Sequence, residues 1–262
     1  MRRRLFAAGG ATKAASAQES SWHVLRESIG RRAIIEPMEN KQYREGEIEQ
    51  TVGEEIANSI THGIGFLLSC AGLSVGVVFA ALHCHAKVVT SVAIYGATMC
   101  ILYLSSTLYH AFPASSRAKR VFHVFDHCSI YLLIAGTYTP ILLGPINAAW
   151  GWSLFGVVWG LAIAGIVFKV FFTGRFKAFS TLTYLAMGWL VLVALKPVFR
   201  GIGAGGMLWL AIGGLCYSAG CAFYVNRRLK FAHAIWHLFV LAGTVVHFFC
   251  ILFHVVLRPD VI

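Results

Sequence analysis

Long apolar runs separated by short polar stretches dominate the chain after residue 56. Each run is long enough to cross the hydrocarbon core of a bilayer, although the fifth is marginal. Lys196-Pro197 is predicted to end the fifth run, because proline removes a backbone donor and breaks a helix. The pattern therefore predicts an all-α membrane protein with seven transmembrane helices. The runs cover residues 57–82, 88–111, 121–143, 148–170, 178–195, 205–225 and 232–257.

Composition supports a membrane protein and argues against a nucleic-acid partner. The chain is 58% apolar and 13% charged, whereas a soluble domain is about a quarter charged. Residues 1–55 carry nine basic and nine acidic side chains, so the whole net charge of +11 arises in the apolar part. In that part, the excess of basic side chains is expected to set the orientation in the membrane and to contact lipid headgroups, rather than to bind nucleic acid. The seven Cys form no CxxC pair and are expected to be small buried residues rather than a disulfide framework.

The first 37 residues differ in composition from the rest of the chain. They are rich in Ala, Ser and Gly and contain no long apolar segment, so a secretory signal peptide is not expected. We expect a disordered extension over residues 1–37, while a transit-like segment and a translation start at Met38 stay open. A charged cytoplasmic lead-in at 38–56, the transmembrane domain at 57–257 and a tail at 258–262 complete the predicted organisation.

Basic residues in the loops predict the orientation in the membrane. Nine basic residues lie in loops on the same side of the membrane as the N-terminus, and four lie on the opposite side. Because cytoplasmic loops carry the excess of Lys and Arg, we expect the N-terminus in the cytoplasm and the C-terminus outside. The first group is Arg117, Lys119, Arg120, Lys169, Arg175, Lys177, Arg227, Arg228 and Lys230; the second is Lys87, Lys196, Arg200 and Arg258.

Asp126 is the single carboxylate of the apolar portion. After Glu55 the sequence contains only Asp126 and Asp260 as acidic residues, and Asp260 belongs to the tail. A carboxylate at membrane depth is costly and needs a partner, so Asp126 is a candidate functional residue.

Three histidines are predicted to reach the same depth as Asp126. His233 and His237 share one face at the start of the last run, and His110 follows Ser106 at the same i, i+4 spacing at the end of the second. All five polar residues fall within roughly 10 Å of the cytoplasmic boundary. Three His ligands with an open fourth position are typical of catalytic zinc. Asp126 would then take a proton from water and Ser106 would orient the water or a carbonyl. For the His pair taken alone, polar residues wetting a helix end remain an equal alternative.

Further polar residues are expected around this group. Glu55, Asn58 and His62 follow one face of the first run, either as a capped helix start or as a network beside the zinc. His123 is expected to support Asp126 from behind. Structural or supporting roles are expected for the other histidines near the runs, and no ligand role is assigned to them: His83, His85, His127, His247 and His254.

Four motifs in order resemble the hemolysin III family, which belongs to the progestin and adiponectin receptor superfamily of seven-helix membrane proteins and is related more distantly to alkaline ceramidases. The resemblance covers about residues 50–257. It implies that zinc is bound by His110, His233 and His237, with Asp126 and Ser106 beside it. The motifs are Glu55-xx-Asn58-xxx-His62, Ser106-xxx-His110, Phe125-Asp126-His127 continuing to Gly136-Thr137-Tyr138-Thr139-Pro140, and His233-xx-Trp236-His237.

These patterns predict a zinc-dependent hydrolase that acts on a membrane lipid, such as an amide of the ceramide type, in membrane lipid homeostasis. Its partners are expected to be the bilayer of the plasma (inner) membrane and a lipid substrate or ligand. A non-catalytic membrane receptor or regulator with a structural zinc, and a pore-forming cytolysin, stay open as alternatives. Because no Cys lies at a spacing that would close the fourth zinc position, the pattern favours catalysis.

Overall fold

The computed structural model describes residues 50–146, 148–225 and 229–258, and this part of the chain is helical without a strand. The predicted extension at 1–37, most of the lead-in, Arg227 and Arg228 lie outside the described residues. The α-helices are α1 Val52–His83, α2 Ala86–Ala111, α3 Arg117–Leu143, α4 Ala148–Phe172, α5 Lys177–Gly188, α6 Leu195–Val225 and α7 Ala232–Ile251. A 3-10 helix, Trp189–Ala194, joins α5 to α6, and a π-helical turn, Leu252–Val256, extends α7.

The start of α1 is fixed by a capping box. The Thr51 hydroxyl accepts a hydrogen bond from the Glu54 backbone N–H at 3.3 Å, and Glu54 Oε2 accepts one from the Thr51 N–H at 2.9 Å. These bonds satisfy backbone donors that a helix start leaves open. The cap sets where α1 begins, and it therefore sets the position of the polar residues in its first turns.

Within the part of the chain that the structure describes, five helical stretches are long and apolar enough to cross a membrane, which makes the chain a multi-pass membrane protein. Their outward side chains are apolar; Leu82 and Phe171, for example, are 72% and 74% exposed. α3 is less apolar at its start, where it carries three basic residues and Asp126. The five stretches are Val52–His83, Ala86–Ala111, Ala149–Phe172, Lys177–Val225 and Ala232–Val256.

The break predicted at Lys196-Pro197 lies elsewhere in the structure. Pro197 is the third residue of α6, and the helix continues past it. The first turn of a helix tolerates proline, since the backbone donors there have no partner within the helix. The interruption falls at Gly203, whose φ of 71° is readily adopted only by glycine. The prediction from Pro197 was therefore wrong in position by half a dozen residues.

Contacts among α1, α2, α3 and α7 position the polar residues. α1 packs on α2 and α7, and α2 also packs on α3. Tyr103 of α2 is fully buried and donates a 2.8 Å hydrogen bond to the Thr244 hydroxyl of α7. The aromatic ring of Tyr103 lies against Gly65 of α1, where a larger residue would collide. Close packing thus brings together the start of α1, the end of α2 and the start of α7.

Candidate metal centre

Three histidines from two helices converge on one point. His110 lies in the last turn of α2, and His233 and His237 lie in the first turns of α7. One ring nitrogen from each lies within 4.8 Å of the other two. The ring centroids of His233 and His237 are 4.5 Å apart, and those of His110 and His237 are 5.2 Å apart. The two predicted i, i+4 faces therefore meet.

Hydrogen bonds at Nδ1 leave the Nε2 atoms available. His110 Nδ1 lies 2.7 Å from Glu55 Oε2, and His237 Nδ1 lies 3.3 Å from the Asn58 carbonyl oxygen. An ionised carboxylate and a carbonyl only accept, so each Nδ1 carries the hydrogen and each Nε2 keeps its lone pair. The Nε2 atoms of His110, His233 and His237 are buried without a hydrogen-bond partner among the described residues. This donor set fits a metal ion, because ligating imidazoles use one nitrogen for the metal and donate from the other.

Two consecutive glutamates in α1 contact the helices that carry these histidines. Glu55 holds His110 of α2, as described above. Glu54 Oε1 accepts a 3.0 Å hydrogen bond from the backbone N–H of Phe231, which has a left-handed φ of 57° and precedes α7. The start of α1 therefore fixes both the end of α2 and the start of α7.

Asp126 and Ser106 lie beside the cluster. Asp126, in α3, is buried, and Ser106, in α2, is fully buried. The Ser106 hydroxyl, His110 and His123 lie near the Asp126 carboxylate. Among the described side chains, the geometry closes no hydrogen bond to the Ser106 hydroxyl. Asp126 and Ser106 thus lie near His110, one of the three clustered histidines.

The residues predicted to surround the group lie next to it in three different ways. Glu55 makes the bond to His110. Asn58 is fully buried, and its amide nitrogen lies 2.6 Å from Gln50 Oε1 and 3.5 Å from His110 Nδ1. His62 stacks on the His237 ring with centroids 3.4 Å apart, and neither of its ring nitrogens has a partner among the described residues. Its contact is therefore a ring stack rather than a hydrogen bond.

His123 lies near Asp126 and extends the aromatic packing. Its ring stacks on Tyr109 with centroids 4.9 Å apart, and its backbone carbonyl lies 2.9 Å from His127 Nδ1. His127 Nδ1 is also 3.7 Å from Asp126 Oδ2. Adjacent residues on a helix point about 100° apart, yet the His127 ring lies near the Asp126 carboxylate.

The remaining histidines lie apart from the three-histidine group. His83 bonds the Phe79 carbonyl oxygen near the opposite end of α1, at 2.9 Å. His247 Nε2 lies 3.2 Å from the Leu210 carbonyl oxygen, which ties α7 to α6. Neither residue belongs to the group that could hold a metal among the described residues.

Sequence reasoning missed three residues, of which one contacts a histidine of the group and two contact residues that position its helices. Thr61 Oγ1 lies 3.2 Å from His237 Nδ1, Glu54 holds the start of α7, and Lys119 bonds Glu55. Thr61 sits one residue before His62 in a polar stretch, and Thr51-xx-Glu54 has the capping-box spacing, so both carried a local signal. Lys119 was counted only as a loop charge, and its sequence position carried no further signal.

The fold and the site together define a class: a multi-pass, all-α integral membrane protein in which three clustered histidines can hold a metal ion. Residues 50–248 match the family described as haemolysin-III related, and the chain belongs to this family. The resemblance inferred from the four motifs is thereby confirmed. The Hemolysin-3 homolog of Bacillus subtilis is 48% identical over 209 residues, which cover 80% of this chain and 98% of that protein.

Two further relatives extend the comparison. Hemolysin-3 of Bacillus cereus is 48% identical over 206 residues, covering 79% of this chain and 94% of its own. The human monocyte to macrophage differentiation factor is 29% identical over 228 residues, covering 82% of this chain and 90% of that protein. This relative supports membership of the progestin and adiponectin receptor superfamily. No solved structure matches the chain.

Proposed function

We propose that the protein is a zinc-dependent hydrolase that cleaves a lipid amide within the membrane. The observation that carries this proposal is the convergence of three buried, unpartnered Nε2 atoms, with Asp126 and Ser106 near His110. Unpartnered buried nitrogen atoms are costly, so their clustering favours a bound ligand. Three imidazoles without a fourth protein ligand are typical of catalytic rather than structural zinc.

The proposed topology has seven crossings. The stretch Lys177–Val225 contains 49 residues, or about 70 Å of helix, which is more than twice the thickness of a bilayer core of about 30 Å. Its interruption at Gly203 supports two crossings joined near that residue. α3 has 27 residues and supports another crossing despite its charged start. With the charges of the loops, this arrangement favours a cytoplasmic N-terminus. The plasma membrane is the proposed location.

His110, His233 and His237 would hold the zinc. When bound there, zinc supplies a Lewis acid that polarises a substrate carbonyl and makes water more acidic than it is in bulk solution. Glu55 and the Asn58 carbonyl orient two of the rings, because each accepts the hydrogen on Nδ1. Such partners raise the basicity of a ligating imidazole and fix its direction.

Asp126 would act as the general base. It would take a proton from the water that attacks the amide carbon and return that proton to the nitrogen as the C–N bond breaks. The products are a fatty acid and an amine, so one water is consumed for each amide cleaved. Ser106 would donate a hydrogen bond to the substrate or the water, since its hydroxyl has no partner among the described residues.

A lipid is the favoured substrate because the site belongs to a protein with an apolar exterior. The helices expose large apolar side chains around their length, so a membrane lipid meets them without leaving the bilayer. The amide class, of which ceramide is an example, rests on the distant resemblance of the family to alkaline ceramidases. The chemistry of a positioned base and a polarised carbonyl suits an amide bond.

The test is hydrolysis by the purified protein. Zinc-loaded protein in lipid nanodiscs is incubated with a panel of ceramides and phospholipids, and released fatty acid is measured by mass spectrometry. We expect release from amides, its loss after chelation, and its recovery when zinc is restored. Full zinc occupancy with no release from any lipid, together with an unchanged lipid profile in a deletion strain, would contradict a hydrolase.

A non-catalytic regulator is the second candidate. It is favoured by the attachment of α1, α2 and α7 to one another through Glu54, Glu55 and the histidine cluster, an arrangement that a structural metal would reinforce. A cytolytic role is suggested by the name of the Bacillus cereus relative, Hemolysin-3. Release of a dye from vesicles by the purified protein would favour that role, and a metal-dependent change in a bound partner would favour the regulator.

A further inference from the structure

Lys119 lies in the first turn of α3, outside the three-histidine group, yet it contacts two elements that hold that group. Its backbone N–H donates to the hydroxyl of Ser116, the residue that caps α3, at 3.1 Å. The cap fixes the first turn and directs the Lys119 side chain toward the ends of α1 and α2. None of the sequence motifs includes this residue.

The carboxylate of Glu55 is shared between Lys119 and His110. Lys119 Nζ lies 2.8 Å from Glu55 Oε1, and His110 Nδ1 lies 2.7 Å from Glu55 Oε2. Each carboxylate oxygen therefore accepts a hydrogen bond from one partner, and the two bonds together fix the orientation of the Glu55 carboxylate. Charge-assisted hydrogen bonds of this length are the stronger class of protein hydrogen bond.

A second contact of Lys119 falls on the residue before His110. Lys119 Nζ donates to the Tyr109 carbonyl oxygen at 3.0 Å and lies 4.7 Å from the centre of the Tyr109 ring. The carbonyl belongs to the end of α2, where the helix leaves its last carbonyl oxygens without helical partners. Lys119 thus holds both the backbone beside His110 and the carboxylate that orients its ring.

The ion pair is largely withdrawn from solvent. The side chains of Lys119 and Glu55 are 12% and 24% exposed. An exposed ion pair contributes little and breaking a buried pair costs far more, so the loss of this part-buried pair is expected to lie between the two. The carboxylate would then turn toward solvent or another donor, and His110 would lose its fixed direction.

We propose that Lys119 is a positioning residue for the metal ligand His110, acting through Glu55. This inference rests on the proposed metal site. Removing the outer partner of a ligand commonly lowers metal affinity by about 10- to 100-fold. Lys119 acts one contact further away, so the expected loss is about 10-fold.

The experiment measures metal affinity in the full-length purified protein. Cobalt and zinc are titrated into metal-free protein against a competing chelator, and Lys119→Met is compared with Arg120→Met. Arg120 is the neighbouring basic residue and is exposed, so its variant controls for the loss of one positive charge. We expect about a 10-fold loss for Lys119→Met, no loss for Arg120→Met, and partial recovery with Lys119→Arg.

A double variant identifies the route of the effect. In a Glu55→Gln background, Lys119→Met is expected to cause little additional loss, because both changes interrupt the same contact. An undiminished additional loss, or equal affinity in Lys119→Met and the wild type, would overturn the inference. If Lys119→Met does not fold, Lys119→Gln retains a donor and is tested in the same way.

Failure of the inference and failure of the metal site are distinguishable. If the wild type binds neither cobalt nor zinc, or if the His237→Ala variant binds them with the same affinity as the wild type, the proposed metal site is wrong. If the wild type binds and only the Lys119 variants are unaffected, the metal site stands and Lys119 has no positioning role. A thermal scan without metal separates a general loss of stability from a loss of affinity.

Discussion

Glu54 and Glu55 are adjacent in α1, and each holds a different helix of the metal centre. Glu54 Oε1 accepts from the Phe231 N–H at 3.0 Å, and Glu55 Oε2 lies 2.7 Å from His110 Nδ1. Consecutive residues on a helix point about 100° apart, so one turn of α1 reaches both α7 and α2. The relative placement of His110 and His237 therefore depends on the first turn of α1.

Replacing Glu54 should loosen the attachment of α7. We expect Glu54→Ala to lower stability by about 1–2 kcal/mol, because both the capping box and the bond to Phe231 are lost. The measurement is thermal unfolding in detergent, followed by circular dichroism. Thr51→Ala is the matched control, since it breaks the cap and leaves the contact with Phe231. Equal losses in the two variants would mean that the contact between α1 and α7 contributes nothing.

Removing one histidine should abolish metal binding. Purified protein is expected to hold one zinc per chain, and His237→Ala should lose it, because only two ligands would remain. Elemental analysis after dialysis measures the occupancy. His83→Ala is the control, because His83 lies at the other end of α1 and bonds only the Phe79 carbonyl among the described residues. Full zinc occupancy in His237→Ala would refute the ligand assignment.

Replacing Asp126 should separate metal binding from turnover. Asp126→Asn keeps the shape and a hydrogen-bonding group but removes the basicity. We expect a folded protein that retains zinc and has about 10²- to 10⁴-fold lower activity, the range for loss of a positioned base. Zinc content, fatty-acid release and the lipid profile of a rescued deletion strain are measured together. A variant that restores the lipid profile completely would favour the regulator instead.

A glycine in α1 should be intolerant of a methyl group. A Cβ at Gly65 would collide with the ring of Tyr103, which bonds Thr244 and lies edge-on to His62. Overpacking of this kind costs about 1–3 kcal/mol, so Gly65→Ala should lower the unfolding temperature and the metal affinity. Gly160→Ala is the control, because a Cβ there has nothing within 4 Å. Equal behaviour of the two variants would contradict the close packing of α1 on α2.

Apolar run length predicted most of the helical stretches, and local spacing predicted the histidine cluster. The spacing of His233 and His237 places both on one face whatever the rest of the chain does. The break after the fifth run was predicted at Pro197 but lies at Gly203. Proline is tolerated in the first turn of a helix, and the sequence alone did not show that α6 begins at Leu195. The bonds from Glu54 to Phe231 and from Lys119 to Glu55 were not predictable, because they depend on how helix ends distant in sequence approach one another.

The candidate metal centre draws its three histidines from α2 and from α7, and this division has a consequence for biosynthesis. A ribosome delivers His110 to the membrane long before His233 and His237, so the three nitrogens cannot meet until the final helix has entered. A nascent chain that stalls before α7 carries only one of the three histidines of this group. Capture of a metal at the proposed site would therefore follow the insertion of α7 into the membrane.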